Sequence, residues 1–429
     1  MLVKMNKENE FIVSLEISRK WDGSEVANEI SNKILNKIKS PKFILLFTTI
    51  HYEKEFKKIL SGIKNNFPDT PLIGGTVAGF MTNEGSYTRG VTSLAVDYPN
   101  IKIAIGIGHE TKKNPEKAAI EFVTMIKDNK IQLDSAEKFL FILTSGTKVP
   151  SLTGTGVKRV YKSKISSLMV SKLLKTSPKI SDKGLGREDK ILEIISKNLP
   201  DYKIIGGSSI DDNKLEKNYQ FFNDKIFTNS VIGISIETDL NILMDSQVAV
   251  EKTDLIFDVS TGNEKCIINK IDGKPATETF FKYLKWPSSL MDERLFRRTF
   301  FYPLIFEKNG ELYPEVIGGI AGNSIICGFD LKSDKLVIGH SSSKILNNVL
   351  NKSLNNITNK GTINLSLIIY CSALLEALGI DFFKVKKIIE EGHNKSPFLL
   401  IATGGEDFSI PHNKFKHSNE TINFATFIK

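Results

Sequence analysis

KKILSGIKNNFPDTPLIGGT, residues 57–76, recurs 132 positions later as DKILEIISKNLPDYKIIGGS, residues 189–208, without a gap. Ten of the twenty pairs are identical, including Ile59/Ile191, Pro68/Pro200, Asp69/Asp201, Gly74/Gly206 and Gly75/Gly207, where chance gives about one or two; the chain therefore carries an internal repeat. Upstream of each copy lies an apolar run, Phe43 to Phe47 or Phe139 to Leu143, with the bulk of a buried strand and a hydroxylic end at Thr48-Thr49 or Thr144-Ser145. A helix follows, its apolar face set by Phe56, Ile59, Leu60 and Ile63 in one copy and by Ile191, Leu192, Ile194 and Ile195 in the other. Pro-Asp breaks it, a short strand enters the core (Leu72-Ile73; Ile204-Ile205), and Gly-Gly is expected to end that strand.

Further strands complete each unit. Val91 to Val96 and Ile101 to Ile107 flank Asp97-Tyr98-Pro99-Asn100, a hairpin loop by composition; the second copy has Tyr219 to Phe222, a turn at Asn223-Asp224, and Val231 to Ile236. One crossover plus antiparallel pairing predicts an α/β (mixed α+β) fold, with mixed sheets covered by helices. Both units, about 43–107 and 139–237, belong to an N-terminal domain, 1–250, preceded by a helix with Val26, Ile30, Ile34 and Ile38 inward behind a Ser24 cap. A smaller α/β domain, 251–429, is expected to follow. It begins with a strand at Cys266 to Ile271, an Asp272-Gly273 turn and a helix start at Pro275, and it ends with strands at Ile363 to Tyr370, Phe398 to Ala402 and Ile422 to Ile428.

The 429 residues exceed one small module, and 41% hydrophobic with 25% charged residues excludes a disordered or fibrous chain. Three scattered cysteines exclude a disulfide framework, and the N-terminus shows no cleavable leader, so a cytoplasmic protein is expected. The net charge of +9 is concentrated: Ser145 to Ser181 holds no Asp or Glu and eight basic residues, Lys148, Lys158, Arg159, Lys162, Lys164, Lys172, Lys175 and Lys179. This stretch falls in an insert, 145–187, which the second copy has and the first lacks. It reads as a solvated insert, as a flap over an acidic ligand, or as a patch (Lys158, Arg159, Lys162, Lys164, Lys172, Lys175) for nucleic acid or an anionic membrane surface. There is no GxxxxGK[ST] loop, no GxSxG elbow and no HExxH, and the six histidines show no ligand spacing, so no cofactor or metal is predicted and an enzyme is not the leading reading.

The order of these features resembles the FIST family, built from a FIST N and a FIST C domain. The resemblance rests on Ile73-Gly74-Gly75-Thr76 with Ala78-Gly79, on Ile205-Gly206-Gly207-Ser208-Ser209 with Asp211-Asp212, on Phe221-Phe222-Asn223-Asp224, on Ile271 to Ala276, and on Cys371, Gly405-Glu406, His417, Asn419 and Thr421. It implies a sensory module for small ligands such as amino acids, with haem held in some members, which signals to a protein partner in trans. The chain departs from that pattern at Gly79-Phe80 and at Ala373-Leu374-Leu375.

Several residues are candidates for ligand contact. The turns Gly74-Gly75-Thr76 and Gly206-Gly207-Ser208, with Ser209, read either as backbone nests for a carboxylate or phosphate or as relief of crowding. Asp211 and Asp212 read as holders of a ligand ammonium or as a solvated acid pair. Cys371 reads as a pocket thiol or a structural one. Glu406, His417 and Asn419 read as ligand groups or as a network that orders the last loop. The resulting expectation is a sensor for an amino-acid-like or small anionic ligand. A haem sensor, an enzyme on small acids and a scaffold using 148–179 stand as alternatives.

Overall fold

The computed structural model describes residues 10–129, 137–149, 158–163, 172, 177, 182–262, 264–308, 310–358, 360–412 and 415–429. The fold is mixed α/β, with nine α-helices among the described residues, and its main body repeats one arrangement three times. The first unit runs β1 (Ile12–Ser18), α1 (Gly23–Lys37), β2 (Phe43–Thr48), α2 (Phe56–Asn66), β3 (Leu72–Thr76), the hairpin β4 (Gly79–Thr82) and β5 (Gly85–Tyr87), then β6 (Val91–Asp97). The second runs β7 (Ile101–His109), α3 (Pro115–Asp128), β8 (Glu137–Ser145), β9 (Val160–Tyr161), α4 (Glu188–Asn198), β10 (Lys203–Ser209), the hairpin β11 (Gln220–Phe222) and β12 (Lys225–Phe227), then β13 (Ser230–Thr238).

The third unit opens with β14 (Asn241–Val248) and is interrupted by a separate module. That module comprises β15 (Glu251–Thr261), β16 (Ile267–Ile271), β17 (Lys274–Pro275), α5 (Ala276–Tyr283), α6 (Leu295–Arg298), β18 (Leu304–Lys308), β19 (Glu311–Glu315), β20 (Ile317–Ala321), β21 (Ser324–Cys327) and β22 (Lys335–His340). The unit then resumes with α7 (Ser343–Thr358), β23 (Ile363–Cys371), α8 (Ser372–Leu378), α9 (Phe382–Gly392), β24 (Phe398–Thr403), the hairpin β25 (Glu406–Ser409) and β26 (Lys416–Ser418), and β27 (Thr421–Ile428).

Each unit forms a six-stranded sheet around one parallel pair, and each sheet is completed by another unit's hairpin. The orders are β1-β6-β2-β3-β11-β12, β7-β13-β8-β10-β25-β26 and β14-β27-β23-β24-β4-β5. The three units are thereby locked in a ring. Strand composition follows from this placement, because each sheet is covered on both faces and its central strands are apolar throughout. Phe43, Leu45 and Phe47, Phe139, Phe141 and Leu143, and Leu365, Leu367 and Ile369 meet in one central core. The alternate residues Ile44 and Leu46, Leu140 and Ile142, and Ile368 and Tyr370 pack beneath each unit's own helices. The module has its own core around Phe257, Ile271, Phe280, Ile320 and Leu336. No described helix is long and apolar enough to cross a membrane.

Three expectations are corrected. The Gly-Gly pairs lie inside β3 and β10 rather than at their ends. A Cβ on Gly74 would sit 1.8 Å from the Leu46 carbonyl oxygen, and one on Gly206 would sit 2.2 Å from that of Ile142. On Gly75 and Gly207 it would meet the carbonyl oxygens of Tyr219 and Gly405, each at 2.4 Å, where the exchanged hairpin of the next unit arrives. Second, β6 and β7 do not form a hairpin: β6 pairs with β1 and β2, β7 pairs with β13, and Asp97 to Asn100 carry the chain from one sheet to the next. Third, α1 is capped by Asp22, whose carboxylate accepts from the amides of Ser24 and Glu25, and not by Ser24.

Candidate ligand-binding site

A cleft open to solvent, with about 110 Å³ of interior space, lies where the second and third units face the module. Its floor comes from the ends of β10 and β23 and the residues beyond them, Ser209, Ile210, Asn213, Cys371 and Ser372, with Asn419 from the β26–β27 turn. Phe296, Phe300 and Phe329 with the glycines of β20 supply the opposite, apolar wall. Lys148, Lys158, Arg159 and Tyr161 close one side. Among the described lining residues three are cationic and none is Asp, Glu or His.

Arg159 is the most constrained of these cations. Its guanidinium lies 3.8 Å above the Phe296 ring, and Nη2 donates to the carbonyls of Asn213 (2.8 Å) and Lys214 (2.5 Å). The carboxylate of Glu293 accepts from the amides of Arg159 (2.8 Å) and Val160 (3.4 Å), and β9 adds to the edge of β20. Burial brings the guanidinium down to about 10, and Nη1 is buried without a hydrogen-bond partner. An unpaired, partly desolvated donor favours a charged acceptor. Lys148 is already paired, with Asp182 at 2.6 Å and the Thr228 carbonyl at 2.9 Å.

The structure separates the residues singled out from the sequence. Ser209, Cys371, Asn419, Lys158 and Arg159 line the cleft. Gly74, Gly75, Thr76, Gly206, Gly207 and Ser208 do not: the glycines serve strand contact, Thr76 Oγ1 accepts from the Tyr219 amide, and Ser208 Oγ donates to the buried Glu188 at 2.5 Å. The glycine bends are thus closed by neighbouring backbone, and the open-nest reading is corrected on that ground. Asp211 is likewise consumed, its carboxylate accepting from the amides of Leu215, Glu216 and Lys217, while Asp212 pairs with Lys214 at 2.9 Å. The Cys371 thiol is buried and pushed well above its ordinary range, which removes thiolate character. Lys162 is exposed, Lys172 is exposed, and Lys164 and Lys175 lie outside the described residues.

Glu406 and His417 sit behind the floor. Burial pushes Glu406 up to about 8, although its Oε2 accepts from the amide and hydroxyl of Thr421. Burial opposes charge on His417, but Asp407 at 2.6 Å, with Glu188 and Asp189 beyond it, outweighs this and raises the ring to about 9. The sequence signals for the cleft were partial. Phe296, Phe300 and Phe329 were visible only as aromatics, because what makes them a wall is the module folding back onto the body.

The architecture defines a class: a three-unit α/β body with an inserted sheet module and an open cleft between them. The FIST N domain model matches residues 42–274, and the chain belongs to the FIST family, a membership that suggests a sensory or signal-transduction role. It is 22% identical over 331 residues to an uncharacterised protein of Methanocaldococcus jannaschii; the match covers 74% of this chain and 56% of that one, so the chain spans about half the length of this curated relative. Among solved structures, cyanuric acid hydrolase from A. caulinodans aligns with a TM-score of 0.38 and 6% identity, covering 98% of this chain and 100% of that one. PurLQS from Thermotoga maritima aligns with a TM-score of 0.20 and 12% identity, covering 98% and 72%.

Proposed function

We propose that the protein is a small-ligand sensor whose ligand occupies the cleft between the three-unit body and the module. The ligand is an organic anion with an apolar body. The observation that carries this reading is the lining: Arg159 with an unpaired donor, Lys158 beside it, aromatic walls, and no carboxylate among the described lining residues. An amino acid is less well served, because the acids expected to receive its ammonium, Asp211 and Asp212, are engaged in their own loop. Because body and module both contribute walls, occupancy biases their mutual arrangement, and a partner protein in trans reads the change.

The test is thermal stabilisation by a panel of small aryl and branched-alkyl carboxylates, each matched with its neutral amide. Carboxylates raise Tm and amides do not. R159M weakens carboxylate binding roughly 10- to 100-fold, as loss of a charge-assisted hydrogen bond implies. Equal stabilisation by the amides, or unchanged binding to R159M, overturns the reading.

A further inference from the structure

The central strands β2, β8 and β23 occupy equivalent places in the three sheets and are followed or ended by Thr49, Ser145 and Cys371, three nucleophile-type side chains at corresponding positions. At Ser145 an amine meets the side chain. Lys112 enters from the β7–α3 loop, which Asn229 holds by accepting from Thr111 Oγ1 and the Lys112 amide. Its Nζ lies 2.8 Å from Ser145 Oγ and 3.4 Å from the Ser145 carbonyl oxygen, and both residues are buried.

We propose that Ser145 and Lys112 are a nucleophile and its base, and that the protein hydrolyses small esters or amides that carry a separate free carboxylate and are admitted through the cleft. This rests on the reading of the cleft as a ligand site. Ser145 pairs across the sheet with Ser209 and precedes Gly146, and both neighbours line the cleft. Ser145 Oγ also approaches the Asn218 side-chain oxygen (2.8 Å) and the Thr228 carbonyl (3.0 Å), and Asn218 is itself fixed by donating to the Gly146 carbonyl. The hydroxyl is therefore held one layer behind the wall, and on this proposal the reacting carbonyl reaches it by displacing Gly146 alone.

Burial brings Lys112 down to about 7, with Glu188 and Asp182 raising it and Lys148 lowering it further. A substantial fraction of the amine is then unprotonated at neutral pH, as a general base requires. In the first step Ser145 Oγ bonds to the carbonyl carbon while its proton passes to Lys112 Nζ. The bond to the alcohol or amine leaving group breaks, and that group takes the proton from Nζ. Water then attacks the acyl ester of Ser145, giving one proton to Nζ; the acyl–Oγ bond breaks, and the proton returns to Oγ. The sum is ester or amide plus water to acid plus alcohol or amine.

The experiment is exposure of the full chain to a small alkyl fluorophosphonate, read by intact mass and peptide mapping. One adduct forms on Ser145, at a rate that rises through neutral pH. It is absent in S145A and at least about 100-fold slower in K112M and in K112R, which cannot give up its proton. Melting curves for each variant establish that it is folded. No adduct on Ser145, or an unchanged rate in folded K112M, overturns the proposal. Carboxylate stabilisation is measured in parallel: if it is present while Ser145 stays unlabelled, the dyad alone fails, and if it is absent while Ser145 is labelled, the receptor reading alone fails.

Discussion

Asp407 Oδ1 and His417 Nδ1 stand 2.6 Å apart where neither side chain reaches solvent, and Glu406, the next residue in β25, is buried beside them. His417 is raised to about 9, and burial raises Glu406 and Glu315 to about 8 each. Every one of these groups binds its proton more tightly folded than unfolded. Their contribution is whole below the unfolded values, about 4.3 for Glu and 6.5 for His, and is lost as pH rises through the folded ones. Their joint contribution to Tm should therefore fall from pH 5 to pH 9, most steeply from about 6.5 to 8 where the windows overlap, while Lys112, lowered to about 7, works in the opposite direction above that pH. E406Q removes one such group while keeping an acceptor for Thr421, so its Tm should decline less over pH 5–8 in melting curves. Parallel wild-type and E406Q curves would sink this account.

Gly206 and Ile142 are in register in the parallel pair β10–β8, too close for a side chain between them. G206A should cost at least about 1–3 kcal/mol by overpacking. G273A makes a useful contrast: its Cβ meets nothing within 4 Å, and only its φ of +74° is unfavourable. Urea unfolding checks the pair. If G206A is no worse than wild type, the crowding argument for the repeated glycines is wrong.

The edge-to-face contact of Phe47 with Phe141, centroids 5.8 Å apart, joins the first and second units across the central core. F47A and F141A should each cost about 3–5 kcal/mol, and their double-mutant cycle should return about 0.5–1.5 kcal/mol of coupling. Exchange of hairpins adds a stronger expectation. Because each unit completes a neighbour's sheet, F141A should lower amide-exchange protection in β2 and β23 as well as in β8. Loss confined to β8 would contradict the interlocked ring.

The twofold repeat was legible because identical residues answer an identical need: Gly75 and Gly207 both receive another unit's hairpin. The third unit was not. Its register counterparts are Leu400 and Ile401 where the others have Gly-Gly, since Phe80 crosses there in place of Gln220 or Glu406. The apolar runs at Phe43, Phe139 and Ile363 marked buried strands correctly, because burial on both faces leaves the same composition in every unit. Pairing partners were out of reach, since β6 and β7 look like a hairpin locally and are separated because β6 pairs back to β1 and β2 while β7 pairs with β13, over a hundred residues further on. The cleft was half legible. Cys371 was found at a strand end, Ser209 beside the second glycine turn and Asn419 in the final loop, whereas the glycine bends are closed by backbone that no local pattern announces.

Asn213 joins the loop after β10 to the third unit and also carries Arg159. Its Oδ1 accepts from Ser372 Oγ at 2.7 Å, Nδ2 donates to the Ser372 carbonyl at 3.3 Å and to Glu376 at 3.1 Å, and its own carbonyl receives Arg159 Nη2. It does this at a φ of +62°, a conformation asparagine tolerates and alanine does not. N213A loses the side-chain bonds and adds backbone strain; N213G loses the same bonds without the strain. N213A should thus be less stable than N213G by about 1 kcal/mol, and both should be less stable than wild type. Both variants should also lose carboxylate-induced stabilisation, because the loop that seats the guanidinium is no longer tied to α8. The discriminating result is the second one: if N213G binds carboxylates as wild type does, the loop contributes to folding and not to the placement of Arg159.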